Sequence, residues 1–221
     1  MKALVLDFGG VISRTVFETH RENEQALGLS EGTLTWRGPF DPEGDPLWCA
    51  MQAGKISERD YWFQRAAETG KLVGETWTTL PEFLQRIRGD VPHSMIRPEF
   101  LSTLALAKHQ NCKLAILSNE LDLFYGADIR NKLPFLADFD LIVDATYSGI
   151  LKPDPRAYGA IVDGLKVRPT DCVFVDDQLK NIIGANTFGM QTIHFDVTHP
   201  KESYAQALAL LDATTTETSH A

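Results

Sequence analysis

The sequence predicts an α/β fold, a doubly wound parallel sheet of about five strands, and three observations predict it. Short, nearly continuous apolar runs recur along the chain, helical stretches separate most of them, and four of the five runs end in polar residues. Strands buried on both faces of a parallel sheet read as unbroken apolar runs, and strand–helix alternation gives right-handed crossovers.

The runs are 3–7 (ALVLD), 113–118 (KLAILS), 140–144 (DLIVD), 172–177 (CVFVDD) and 191–195 (QTIHF). Helices are expected over 98–110, 120–134, 155–165, 178–188 and 201–212, the last amphipathic and suited to packing on the sheet. Residues 14–90 break this rhythm. They contain no clear β-run, helical patterns at 17–28 and 58–69, Gly/Pro turns at 38–46, and all four tryptophans (Trp36, Trp48, Trp62, Trp77). A small helical domain over 14–90, inserted after the first strand, is therefore expected, with 1–13 and 91–213 forming the sheet domain. The polar, Thr-rich tail 214–221 is expected to be disordered.

The chain has 221 residues, 43% hydrophobic and 23% charged, which is ordinary globular usage and enough to bury a full core. Lys+Arg number 21 and Asp+Glu 30, a net charge of −9. Binding to nucleic acid needs clustered cations that displace counterions, so none is expected; a small anionic ligand remains open. No apolar run is long enough to span a bilayer, and the N-terminus lacks the pattern of a secretory signal. Cys49, Cys112 and Cys172 match neither a disulfide framework nor zinc spacing, and Cys112 and Cys172 are expected to be buried thiols. A cytoplasmic monomer or homodimer with no membrane partner is the expectation.

Open parallel sheets bind ligands outside the carboxyl ends of their strands. The residues expected there are Asp7 with Phe8-Gly9-Gly10, then Ser118-Asn119, Lys152 in GILKPDP, and Asp176-Asp177. Taken singly, each has an ordinary structural role: a cap, a turn, a solvated lysine, a pair at a helix N-terminus. Taken together they suit Mg²⁺ and a phosphoryl group, which want carboxylates, a nucleophile, a lysine and N–H or O–H donors. Two adjacent acids after CVFV also repel one another and favour a nearby cation.

LVLDFGGVI, AILSN, LKPDP and VFVDD resemble, in order and spacing, the four motifs of the haloacid dehalogenase-like hydrolase superfamily. The insert resembles the small helical cap of its subfamily I. GKISERDYW and VFVDDQLKNIIGANTFGM add a likeness to the N-terminal phosphatase domain of soluble epoxide hydrolases and its bacterial relatives. The resemblance implies a Rossmann-like core and a Mg²⁺-dependent phosphatase acting on a small phosphorylated metabolite. It implies Asp7 as the nucleophile that forms an aspartyl-phosphate. It implies Asp7, the Gly9 carbonyl and Asp177 as metal ligands, with Asp176 in support. Ser118, the Asn119 N–H, Lys152 and the N–H groups of Phe8 and Gly9 would bind phosphate oxygens.

One position departs from the pattern. The family's phosphatases usually carry a second Asp two residues after the nucleophile, as general acid and base; here Gly9 stands there. The readings are a leaving group that needs no proton, a proton from elsewhere (Glu18 and His20 lie nearby in sequence), or slow catalysis. A metal-independent 2-haloacid dehalogenase is the alternative, since such enzymes also lack that Asp, and a non-catalytic binding protein is the third. Against the dehalogenase stand Gly-Gly-Val after the nucleophile and the paired acids. A phosphonatase would need a cap lysine, and Lys55 and Lys71 read as solvated.

A cap normally closes over the site and selects the substrate. Its aromatics here (Phe17, Trp36, Phe40, Trp48, Tyr61, Trp62, Phe63, Trp77) are mostly expected to build the domain's own core, with Trp36 and Trp48 the candidates for lining a pocket. Arg37 is expected at the surface. His93, His109, His194, His199 and His220 show no metal-ligand spacing, and His194 is expected in the core or at the rim of the last strand.

Overall fold

A computed structural model describes residues 1–88 and 95–213. The expectations for the tail 214–221, His93 and His220 lie outside the described residues. The chain divides into two compact units. One comprises Met1–Arg14, Ile96–Asp122 and the chain from Arg130 onward; the other comprises Thr15–Met95 and Leu123–Ile129.

In the first unit, among the described residues, β1 (Ala3–Leu6), β2 (Lys113–Ser118), β3 (Leu141–Asp144), β4 (Cys172–Asp176) and β5 (Gln191–His194) form one parallel sheet of order β3-β2-β1-β4-β5. The chain builds outward from β1 on one side, then returns to build on the other. The strand order reverses between β1 and β4, and sheets of this kind hold ligands outside the carboxyl ends of the strands at that point. All four residues of β1 and all five of β4 are buried, which is why both read as continuous apolar runs. Helices Pro155–Leu165 and Leu179–Phe188 pack Ala157, Tyr158, Ile161, Ile182 and Ala185 against Val5, Ala115 and Phe174.

The second unit is helical: His20–Leu27, Pro46–Gln52, Glu58–Val73 and Leu80–Arg88. Its core is aromatic. Phe17 meets Trp36 and Trp48 edge-on at centroid distances of 5.6 and 5.3 Å, and Tyr61 is fully buried beside them. A domain this small gains most of its buried area from large rings. Phe40 and Phe63, grouped with that core from sequence, are exposed. Glu58–Val73 starts at a reciprocal capping box, in which Ser57 and Asp60 satisfy each other's backbone N–H groups.

Three local expectations are corrected. The helix expected over 120–134 is broken into Leu121–Tyr125, Ile129–Lys132 and a turn at Pro134–Asp138. Gly126 adopts φ +82 between the first two, a left-handed conformation that ends a helix. Leu123–Ile129 accordingly leaves the sheet unit, and Phe124 and Tyr125 pack on the aromatic core. Helices Pro46–Gln52 and Leu80–Arg88 were not expected; the first begins where Asp45 accepts a hydrogen bond from the Trp48 N–H at 2.9 Å. Cys112 is only half-buried, because it precedes β2 in the connecting turn, whereas Cys172 is fully buried in β4. No helix among the described residues is long and apolar enough to cross a membrane.

Candidate active site

The polar residues expected at the strand ends converge within the first unit. Asp7 follows β1, and its N–H bonds the Val175 carbonyl at 2.9 Å, stitching it to β4. Asp176 ends β4 and Asp177 lies one residue beyond the strand. Asp7, Asp176 and Asp177 each offer an oxygen atom within 4.8 Å of the others.

Lys152 joins these groups. Its Nζ donates to Asp7 Oδ1 at 2.8 Å, to Asp176 Oδ2 at 2.7 Å and to the Leu117 carbonyl at 2.8 Å. The ordinary reading of this lysine as a solvated surface residue is therefore wrong: its side chain is 1% exposed. An ammonium has three protons to place, and here each has an acceptor. Burial works against the charge, but Asp176 and Asp7 outweigh it and hold Lys152 above its ordinary range. Burial pushes the Asp7 carboxyl up to about 7, against the pull of Lys152 and with the repulsion of Asp176.

Asn119 sets where Lys152 begins. Its side-chain oxygen accepts from the Lys152 N–H at 2.6 Å, and its amide nitrogen donates to the Lys152 carbonyl at 3.3 Å. Both backbone groups of the lysine are thus clamped by one side chain. Ser118 is buried at the end of β2, and its carbonyl accepts from the Ala145 N–H at 3.0 Å. Asp144, at the end of β3, accepts from the N–H groups of Leu121 and Asp122 at 3.1 and 3.0 Å, capping the helix that follows Ser118-Asn119. Burial tends to raise Asp144, but the Thr146, Asp122 and Leu121 donors outweigh it and hold the carboxyl below the usual range.

Phe8–Ile12 forms a tight turn after the first acid. Gly9 has φ −69 and ψ 128, an extended conformation open to any residue. Gly10 differs: its φ is +75, and a Cβ there would lie 2.8 Å from Asp177 Oδ2. Only glycine permits both that conformation and that approach.

Sequence reasoning missed Asn181 and Gln178. Asn181 Nδ2 donates to both oxygens of Asp176 at 3.1 Å, and the Gln178 N–H donates to Asp176 Oδ1 at 2.8 Å. Asn181 follows the acid by five residues, one turn into a helix, and that spacing was the available signal. His194 lies at the exposed rim, with Nε2 3.0 Å from the Asp177 carbonyl.

Glu18 and His20 belong to the second unit. Glu18 accepts from the Thr15 N–H and hydroxyl at 2.7 and 2.8 Å. His20 is buried edge-on against Trp36 at 4.4 Å, neither ring nitrogen having a partner. Burial and the nearby Arg37 push it down to about 4. This unit has a cavity of about 350 Å³, lined in part by Thr35, Trp36, Leu47, Ile56 and Arg65. Trp36 lines it, while Trp48 does not, and both belong to the aromatic core. Lys55, Lys71 and Arg37 are exposed.

A family model for haloacid dehalogenase-like hydrolases matches residues 1–189. The chain is 31% identical over 208 residues to bifunctional epoxide hydrolase 2 of Mus musculus, a match covering 87% of this chain and 36% of that protein. The chain thus spans about a third of the length of that relative. It is 33% identical over 111 residues to (S)-2-haloacid dehalogenase 1 of Pseudomonas sp. (strain CBS-3), covering 50% of this chain and 48% of that one. A solved structure of a dehalogenase superposes with a TM-score of 0.60 at 20% identity, covering 89% of this chain and 85% of the other, and bears out the fold. The β3-β2-β1-β4-β5 sheet, the four polar strand ends and the matched family model agree: this chain belongs to the haloacid dehalogenase-like hydrolases.

Proposed function

We propose that the chain is a Mg²⁺-dependent phosphohydrolase that acts on a small phosphorylated metabolite. One observation carries the reading: three carboxylates stand within 4.8 Å of one another, and the buried lysine placed among them supplies one positive charge. If all are ionised, negative charge is in excess, and hard oxygen donors at this spacing suit Mg²⁺. The donor set fits the ion on a second count, since glycine at position 10 keeps the space beside Asp177 free of a Cβ. Asp7, the Gly9 carbonyl and Asp177 would hold the ion, with Asp176 in support; when bound, it would neutralise charge on the carboxylates and the phosphoryl oxygens.

The chain's own residues then have distinct tasks. Asp7 attacks phosphorus in line, and the ester bond to the leaving group breaks as the aspartyl-phosphate forms. Lys152 balances charge on Asp7 and on the phosphoryl group. Ser118 and the N–H groups of Asn119, Phe8 and Gly9 donate to the phosphoryl oxygens. Water then cleaves the acyl phosphate and restores Asp7. Gly9 carries no acid, so substrates whose leaving group departs without a proton, such as acyl or aryl phosphates, suit this site best.

The test follows p-nitrophenyl phosphate hydrolysis with Mg²⁺ and with EDTA, for the natural sequence and for Asp7→Asn. Turnover that depends on both the ion and Asp7 is expected; turnover indifferent to both would overturn the reading. Gly9→Asp is backbone-compatible and should raise turnover of alkyl phosphates by about 10²-fold or more. No gain there would mean that the proton comes from elsewhere.

The dehalogenase reading is favoured by the match to the Pseudomonas enzyme and by Gly9. It requires chloride release from 2-chloropropionate that persists in EDTA, and a rate equal to the buffer blank would remove it for that substrate. Three free cysteines suit a reducing compartment, and we assign the protein to the cytoplasm on that ground.

A further inference from the structure

Arg97 lies outside all four motif segments, yet its side chain is among the most deeply buried of the large ones. Its guanidinium closes a fork on a single acceptor: Nε and Nη2 donate to the Gly10 carbonyl at 3.0 and 2.9 Å. The backbone N–H of the same residue donates to the Ile12 carbonyl at 3.1 Å. Between them, the Val11 carbonyl accepts from the Tyr204 hydroxyl at 2.6 Å. Three consecutive carbonyls of the turn after Asp7 are therefore held by donors far along the chain. The donors also brace one another. Arg97 Cζ sits 5.4 Å from the centroid of the Phe195 ring, and Phe195 meets Tyr204 at 4.9 Å.

This bracing answers a physical problem of the site. Gly10 is required because its left-handed φ and missing Cβ let the turn approach Asp177. Glycine is also the residue with the most backbone freedom, so the turn does not hold that conformation by itself. A neutral hydrogen bond is a weak restraint, whereas two charge-assisted bonds from a planar fork fix the carbonyl's direction as well as its distance.

We propose that Arg97 is a positioning residue of the active site: its fork on the Gly10 carbonyl, seconded by Tyr204 on Val11, sets the turn that places Gly10 against Asp177. Arg97 acts through the backbone. Its importance for catalysis rests on the reading of that turn as part of the phosphate and cation cradle.

The test compares Arg97→Lys, which keeps the charge and loses the fork, with Leu104→Ala. Leu104 is buried in the adjoining helix Pro98–His109 and serves as a control for general destabilisation. Hydrogen exchange of the peptide covering residues 1–13 is followed by mass spectrometry at temperatures equally far below each thermal midpoint. Mn²⁺ affinity is measured by electron paramagnetic resonance, and kcat and KM on p-nitrophenyl phosphate. In Arg97→Lys, exchange in the turn should quicken by about tenfold over the control and Mn²⁺ should bind about tenfold more weakly, as for other residues that support a ligand shell. The kcat should fall more than KM rises. Exchange in the turn no faster than in Leu104→Ala would reduce Arg97 to a packing residue and overturn the proposal. Should Arg97→Lys fail to fold, Tyr204→Phe removes the Val11 bond and keeps the ring; several-fold faster exchange confined to the turn supports the proposal, and unchanged exchange overturns it. If the natural protein bound no Mn²⁺, the phosphohydrolase reading would fail, while the exchange comparison would still decide the role of Arg97.

Discussion

The two units of this chain bury charge in opposite ways. In the sheet unit, Lys152 is enclosed, yet all three of its protons meet acceptors, and the surrounding carboxylates keep it charged. In the helical unit, His20 is buried against Trp36 with neither nitrogen partnered, and burial drives it toward its neutral form. The same desolvation acts on both. What differs is the supply of fixed partners. Strand ends arranged side by side bring several polar groups to one point, whereas a core packed from aromatic rings offers edges and faces. Buried Asp45 is the helical unit's counterexample: it accepts from the Tyr61 hydroxyl at 2.9 Å, pairs with Arg65 and caps the helix Pro46–Gln52.

The contrast can be tested, beginning with the largest effect. Asp7→Asn should lower Asp7-dependent turnover by about 10³-fold or more, since little of a nucleophile's contribution survives its removal. Because burial already disfavours the Asp7 charge, the thermal midpoint should hold or rise. A large fall in midpoint would mean that Asp7 is chiefly structural.

Lys152→Met should come next, at about 3–5 kcal/mol, because it leaves Asp7 and Asp176 facing each other without their shared cation. Urea unfolding monitored by far-UV circular dichroism would measure it. A cost within experimental error would show that the carboxylates do not need the lysine.

The third effect concerns pH. His20 has a folded pKa of about 4 and an ordinary value of 6.5, so the unfolded chain takes up the proton first. Its contribution is complete above pH 6.5 and is lost as the pH falls toward 4, on the order of 3 kcal/mol in all. All four tryptophans lie in the helical unit, so their fluorescence follows its unfolding selectively. His20→Phe should flatten the pH dependence of that transition; equal slopes for the two proteins would contradict the assignment.

The smallest effect is Ser57→Ala, which opens the capping box of Glu58–Val73 at the surface and should cost about 1 kcal/mol. The same fluorescence transition reports it, and no change would mean that Asp60 caps the helix unaided.

The strands were legible because burial on both faces leaves only apolar residues to choose from. Asp7, Ser118 and Asp176 were legible because each ends or follows such a run at its carboxyl end, and Lys152 because it stands in the LKPDP motif. The helix over 120–134 was misread because its periodicity continues through Gly126, and the left-handed turn there is a choice of backbone. Asn119 was legible as a polar strand end, but its clamp on the Lys152 backbone was not, since those residues lie 33 apart in sequence.

By itself, the sequence determined the parallel sheet, the polar strand ends and the family to which they belong, because these depend on local composition and order. Tertiary structure decided which of those polar groups meet. It buried Lys152 as a bridge between Asp7 and Asp176, separated Asp176, held by Asn181 and Gln178, from Asp177, which stands against Gly10, and brought Arg97 and Tyr204 onto the turn after Asp7. Those contacts join residues up to 193 positions apart. Local propensity carries no information at that range; hydrogen-bond and charge complementarity, realised only after the sheet has formed, select them.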